Sequence, residues 1–146
     1  MIKIKQLEAF NIKTSNGLLN NIKLLNMQKI LIVDDDKDMC NIISTILKQE
    51  GYKIFKAYDG KQAIREISIK NYNLVILDYR LPNMDGIEVL QKIRNMGLSI
   101  NVIMISAYGN DSIKLKAKEL GVDQFLDKPF NLSKLFKVVK NTISKK

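Results

Sequence analysis

Apolar residues recur in two alternating rhythms along most of this chain. Ile30-Leu31-Ile32-Val33 is a continuous apolar run, the pattern of a strand buried on both faces, and it ends in Asp34-Asp35-Asp36. Met39, Ile42, Ile43, Ile46 and Leu47 then repeat with helical spacing, and Gly51 fits the stop position. Tyr52–Tyr58 reads as a second strand, Asp59-Gly60 as its turn, and Ala63, Ile64 and Ile67 as the buried side of a second helix. Leu74-Val75-Ile76-Leu77 is the next apolar run, closed by Asp78 and a turn that includes Pro82-Asn83-Met84-Asp85-Gly86. Ile87, Leu90 and Ile93 mark a third helix, stopped near Gly97.

The second half repeats the alternation. Ile100–Ile105 predicts a fourth strand ending at Ser106, and Asp111 is the expected N-cap of a helix through Leu120. Asp123–Asp127 predicts a short fifth strand, followed by Lys128-Pro129. Asn131 or Ser133 opens a last helix with Leu132, Leu135, Phe136, Val139 and Ile143 inward. Five strands alternating with five helices predict an α/β fold, a doubly wound parallel sheet covered on both faces. Residues 1–28 stand apart as an N-terminal extension, mobile or loosely docked, before a single domain over 29–146. Within it Met1–Lys5 alternates like a strand, Leu18, Leu19, Ile22 and Leu25 form a weak helical stripe, and Met27 is a candidate natural start.

Composition narrows the chemistry. The 146 residues carry 24 Lys+Arg against 15 Asp+Glu, a formal charge of +9. The lysines are scattered, and there is no Trp and no aromatic-interleaved basic patch, so a solvated surface accounts for most of that charge. No helix-turn-helix follows the last helix, so specific DNA binding is not expected. The single cysteine, Cys40, reads as a small buried hydrophobe. No apolar run is long enough to span a bilayer, and a cytoplasmic location is expected. Histidine is absent, which removes imidazole from any catalytic or metal-binding role.

The candidate chemistry lies at the strand ends. In a right-handed parallel sheet Asp34/Asp35, Asp78, Ser106 and Lys128 converge on one edge, where open α/β sheets place their sites. Crowded carboxylates repel, so one of them is protonated or a divalent cation neutralises them; hard oxygen donors favour Mg²⁺. A cation and an ammonium beside a carboxylate suit a phosphoryl group, and an aspartate is a competent acceptor for one. Asp36 has a plainer reading, as the N-terminus of the first helix.

These residues resemble the receiver domain of bacterial two-component response regulators. The likeness rests on Ile32-Val33-Asp34-Asp35-Asp36, Leu77-Asp78 with Leu81-Pro82-Asn83-Met84-Asp85-Gly86, Ile105-Ser106-Ala107 and Lys128-Pro129-Phe130, and runs from Lys29 to about Asn141. It implies a flavodoxin-like sheet in the order 2-1-3-4-5. It implies Asp78 as phosphoacceptor, served by a histidine kinase or a histidine phosphotransfer protein. Mg²⁺ would be held by Asp35, Asp78 and the backbone carbonyl of Arg80, with Asp34 acting through water. Ser106 would be the switch hydroxyl, Lys128 the partner of the phosphoryl oxygens and Pro129 a cis-proline. Phe125 stands at the switch-aromatic position, without the tyrosine hydroxyl many members have.

Ser106-Ala107-Tyr108-Gly109 and Lys118-Glu119-Leu120-Gly121 are similar to the stand-alone receivers of sporulation phosphorelays. The rival enzyme reading is a small haloacid-dehalogenase-like phosphatase with Asp34 as nucleophile, which leaves Asp78 and its turn unexplained. A flavodoxin-like FMN binder shares the architecture, but three carboxylates after strand one would repel its phosphate.

Overall fold

The computed structural model describes residues 21–23, 25–107 and 109–144. Strands β1 (Lys29–Val33), β2 (Lys53–Ala57), β3 (Leu74–Asp78), β4 (Asn101–Ser106) and β5 (Gln124–Asp127) form one sheet in the order β2-β1-β3-β4-β5, with every pairing parallel. Helices α1 (Lys37–Gln49), α2 (Gly60–Ile69), α3 (Gly86–Asn95) and α4 (Asp111–Glu119) make the crossovers, and α5 (Leu132–Ile143) follows β5. Residues 21–23 and 25–26 are also helical, with Ile22 half-buried and Leu25 81% exposed. The expected strand at Met1–Lys5, together with Leu18 and Leu19, lies outside the described residues.

Side chains alternate across the sheet, and each face has its own core. Leu31, Val33, Val75, Leu77, Val102 and Met104 pack beneath α2, α3 and α4 through Ala63, Ile67, Val89, Leu90, Ile93 and Ala117. Ile30, Ile32, Leu74, Ile76, Ile103 and Ile105 face α1 and α5 through Cys40, Ile43, Leu47, Leu135, Val139 and Ile143. Burying β3 on both faces is why its sequence is apolar without alternation.

Four local readings change. The buried stripe of α1 is Cys40, Ile43, Ser44 and Leu47, while Ile42 is 47% exposed, so the stripe lies one position round from the one its isoleucines suggested. Asp59-Gly60 is no free turn: Asp59 caps α2, accepting from the Gln62 amide at 2.7 Å, and Gly60 is the first helical residue. The cap of α4 is Asn110, accepting from the Ile113 amide at 2.9 Å; Asp111 becomes the first helical residue, where its charge meets the positive end of the dipole. The second strand is shorter than Tyr52–Tyr58, covering Lys53–Ala57. Asn131 proves to be the cap of α5.

Arg94, near the end of α3, makes a connection the pattern did not announce. Its guanidinium donates to the carbonyls of Leu120 (2.9 Å), Leu98 (3.0 Å), Ile100 (2.9 Å) and Gly121 (3.0 Å). One side chain therefore ties the α3–β4 connection to the C-terminal end of α4, whose last carbonyls have no helical donors of their own.

Candidate functional site

The carboxyl ends of β1 and β3 are adjacent, with Val33 opposite Leu77, so the residues that follow, Asp34 and Asp78, emerge side by side. Both are buried, Asp34 at 5% and Asp78 at 6% exposure. Asp35, at the solvent edge, completes a cluster in which one carboxylate oxygen from each residue lies within 4.8 Å of the others. Lys128 reaches in from the end of β5. Its Nζ is 3.5 Å from Asp78 Oδ2 and 3.6 Å from Asp34 Oδ2.

Backbone bonds fix these positions. The Asp36 amide donates to Asp34 Oδ1 at 3.0 Å, and the Arg80 amide donates to the Asp78 carboxylate. The Lys128 amide donates to the Ser106 carbonyl at 2.9 Å, which ties the lysine to the end of β4, and the Lys128–Pro129 peptide is cis. Gly86 allows the first turn of α3 to close over β3: its amide donates to the Tyr79 carbonyl at 2.6 Å, and a Cβ there would stand 2.7 Å from the Asp78 carbonyl oxygen. No larger residue fits without moving the acid.

Burial raises the Asp78 carboxyl to about 6, with the neighbouring Asp34 charge adding to the rise and Lys128 and the Arg80 amide opposing it. Burial also raises Asp34, against the Asp36 amide and Lys128. Three carboxylates thus face one ammonium across an open cleft of about 460 Å³, also walled by Asp36, Arg80, Leu81, Pro82 and Ala107. An excess of hard, negatively charged oxygen donors with room beside them fits a divalent cation of the Mg²⁺ type.

Not every candidate faces the cleft. Asp36 caps α1, its Oδ1 accepting from the Met39 amide at 3.1 Å, so the plainer reading describes that bond, although the residue also borders the cleft. Ser106 ends β4 at 2% exposure and does not line the cleft, which its neighbour Ala107 does. Phe125 is half-buried on β5 and does not line the cleft; its ring lies under Gly109, with Lys114 Nζ 5.4 Å from the ring centre and 3.1 Å from Asp127. Tyr108 lies outside the described residues. The sequence reading missed the Arg80 amide, although an aspartate followed two residues later by a turn amide is a recognisable Asx signal. Cys40 is fully buried, its Sγ donating to the Asp34 carbonyl at 3.3 Å, and burial pushes its thiol up to about 11.

The response regulator receiver domain family matches residues 30–140 of the chain. The chain belongs to that family. Receivers take phosphoryl groups from histidine kinases or phosphotransfer proteins and generally use Mg²⁺ at the acidic pocket seen here. The family match does not favour the haloacid-dehalogenase-like alternative. This receiver is 36% identical to sporulation initiation phosphotransferase F of Bacillus subtilis over 113 residues, 77% of this chain and 91% of that protein. It is 38% identical to regulatory protein VanRc of Enterococcus gallinarum over 71% of this chain, but spans only 45% of that protein. Among solved structures, a two-component response regulator from Clostridium difficile superposes with a TM-score of 0.77 at 34% identity, covering 82% of this receiver and 98% of that chain. Response regulator TrrA from Thermotoga maritima, solved in complex with Mg²⁺-BeF, gives a TM-score of 0.72 at 33% identity, covering 80% and 99%. Among the described residues no helix is long and apolar enough to cross a membrane.

Proposed function

We propose that Asp78 is the phosphoacceptor of this receiver. The supporting observation is the position of its buried carboxylate, between Lys128 at 3.5 Å and the Asp34/Asp35 pair, on an open cleft. The donor is a phosphohistidine on a histidine kinase or a histidine phosphotransfer protein. An Asp78 oxygen attacks phosphorus, the P–N bond breaks with its electron pair returning to the imidazole, and an acyl phosphate forms on Asp78.

Each neighbour has a task in that transfer. Lys128 pairs with the phosphoryl oxygens, and the Ser106 hydroxyl donates to them once the β4–α4 connection brings it forward. Asp35, Asp78 and the Arg80 carbonyl are the residues to hold Mg²⁺, with Asp34 contributing through water. Bound there, the ion would supply positive charge beside the acceptor and would favour the ionised form of Asp78 against its raised affinity for a proton. Phe125 is the aromatic that follows Ser106, without a hydroxyl to bond, so its response is a change of packing under Gly109.

A phosphorelay intermediate of the cytoplasm, switching or supplying partner proteins without contacting specific DNA, is the finer reading. It draws support from the 36% identity to the sporulation phosphotransferase. Incubation with a small phosphodonor and Mg²⁺, followed by intact-mass measurement, tests the assignment. Wild type should gain one phosphoryl group and Asp78→Asn none; loss of the gain in Asp34→Asn with retention in Asp78→Asn would point to the phosphatase chemistry instead.

A further inference from the structure

The turn that rims the cleft is braced from outside the cleft, at a residue with no chemistry of its own. Gly60 is buried at the start of α2, and its φ is not in the left-handed region, so no backbone demand explains a glycine there. Alanine is the better helix former at such a position. Space explains it. A Cβ on Gly60 would stand 2.8 Å from Val89 Cγ2, 3.0 Å from Met84 Sδ and 3.2 Å from Met84 Cβ. Val89 is fully buried in α3 and β-branched, so it has little freedom to turn away. Met84 belongs to the turn between β3 and α3, and its Cβ moves only if the turn backbone moves.

That backbone is the part that meets the acid. Asn83 holds a φ of 68°, the Met84 amide donates to the Pro82 carbonyl at 2.8 Å, and the Arg80 amide donates to the Asp78 carboxylate. We propose that Gly60 is a positioning residue for the phosphoacceptor site: by admitting Met84 and Val89 against the first residue of α2, it sets the height of the 79–86 turn over Asp78. The inference deepens the phosphoacceptor reading and rests on it. The path runs from α2 through Met84 to the Arg80 backbone, and thence to metal and acceptor.

Gly60→Ala tests it with two readouts besides phosphorylation. Mg²⁺ affinity, measured by calorimetry, should fall about tenfold, the scale on which a residue supporting metal ligands acts. In the metal-free protein the Arg80 and Gly86 amides should exchange hydrogen faster. Adding Val89→Ala, which removes the atom a Cβ would strike first, should return both readouts toward wild type, while Ile67→Val further along α2 should move neither. Met84→Ala serves if Gly60→Ala fails to fold; by taking away the brace it should weaken Mg²⁺ binding in the same direction. Wild-type affinity and exchange in Gly60→Ala, or in Met84→Ala, would overturn the proposal, as would a defect that Val89→Ala leaves untouched. Failure of the wild type itself to take a phosphoryl group would instead strike the parent reading.

Discussion

Helices α3 and α4 follow the strands that end in Asp78 and Ser106, pack on the same face of the sheet, and are held in opposite ways. α3 buries Ile87, Val89, Leu90 and Ile93 and starts at Gly86, pressed against the Asp78 carbonyl. α4 buries only Ala117 and leaves Leu115 60% exposed. Ile113 and Leu120 add partly buried apolar contacts, and polar contacts do much of the rest: the Asn110 cap, the Lys114–Asp127 pair at 3.1 Å and the Arg94 guanidinium at the far end of α4. Apolar burial is lost only by opening the core, whereas exposed polar contacts exchange readily with water. Of the connections that line the site, the one after β3 therefore leads into a fixed wall, α3, and the one after β4 into a more loosely held one, α4.

Core truncation gives the largest contrast. Leu90→Ala should lower stability by about 2–4 kcal/mol in urea denaturation, and Leu115→Ala by less than about 0.5 kcal/mol. Comparable losses would abolish the distinction between the walls. Arg94→Ala comes next, at about 2 kcal/mol, because a charged donor shared among four carbonyls is removed. Hydrogen exchange should show α4 and the residues around Gly121 loosening while the middle of α3 stays protected. Uniform loosening of both helices would contradict the account.

The third prediction concerns charge stored in the fixed wall. The Asp78 carboxyl is raised from 3.8 to about 6, so the folded protein holds that proton more tightly than the unfolded chain. Its contribution to stability is complete below the ordinary value and is lost as pH rises through about 6. In metal-free buffer at about pH 7, Asp78→Asn should be more stable than wild type by about 1–2 kcal/mol, with the gap closing near pH 4. Saturating Mg²⁺ should shrink it from the other side, by stabilising only the wild type. Urea denaturation at both pH values, with and without Mg²⁺, checks the sign.

Much of this arrangement was legible in the chain because strands buried on both faces advertise themselves. Ile30–Val33 and Leu74–Leu77 admit few other readings, and the polar residue closing each one marks the sheet edge. Sequence resemblance supplied the strand order, and the sheet runs β2-β1-β3-β4-β5 in agreement with it. What stayed hidden depends on rotation and on long-range geometry. Periodicity alone did not show that Ser44, not Ile42, turns inward on α1, where the Ser44 hydroxyl is buried without a hydrogen-bond partner among the described residues. Asp59-Gly60 looks like a turn by composition; only the approach of Met84 and Val89 gives the glycine its reason. Arg94 looked like one more surface cation until the carbonyls of α4 were placed around it.

Everything above turns on whether the acid at the end of β3, and no other, carries the phosphoryl group. Peptide mapping by mass spectrometry, after brief exposure to a small phosphodonor with Mg²⁺ and with a hydroxylamine-treated sample alongside, addresses it directly. Asp78 should be the single modified residue, with the modification released by hydroxylamine as expected of an acyl phosphate. A phosphoryl group mapped to Asp34, or one on a hydroxyl side chain that survives hydroxylamine, would contradict it.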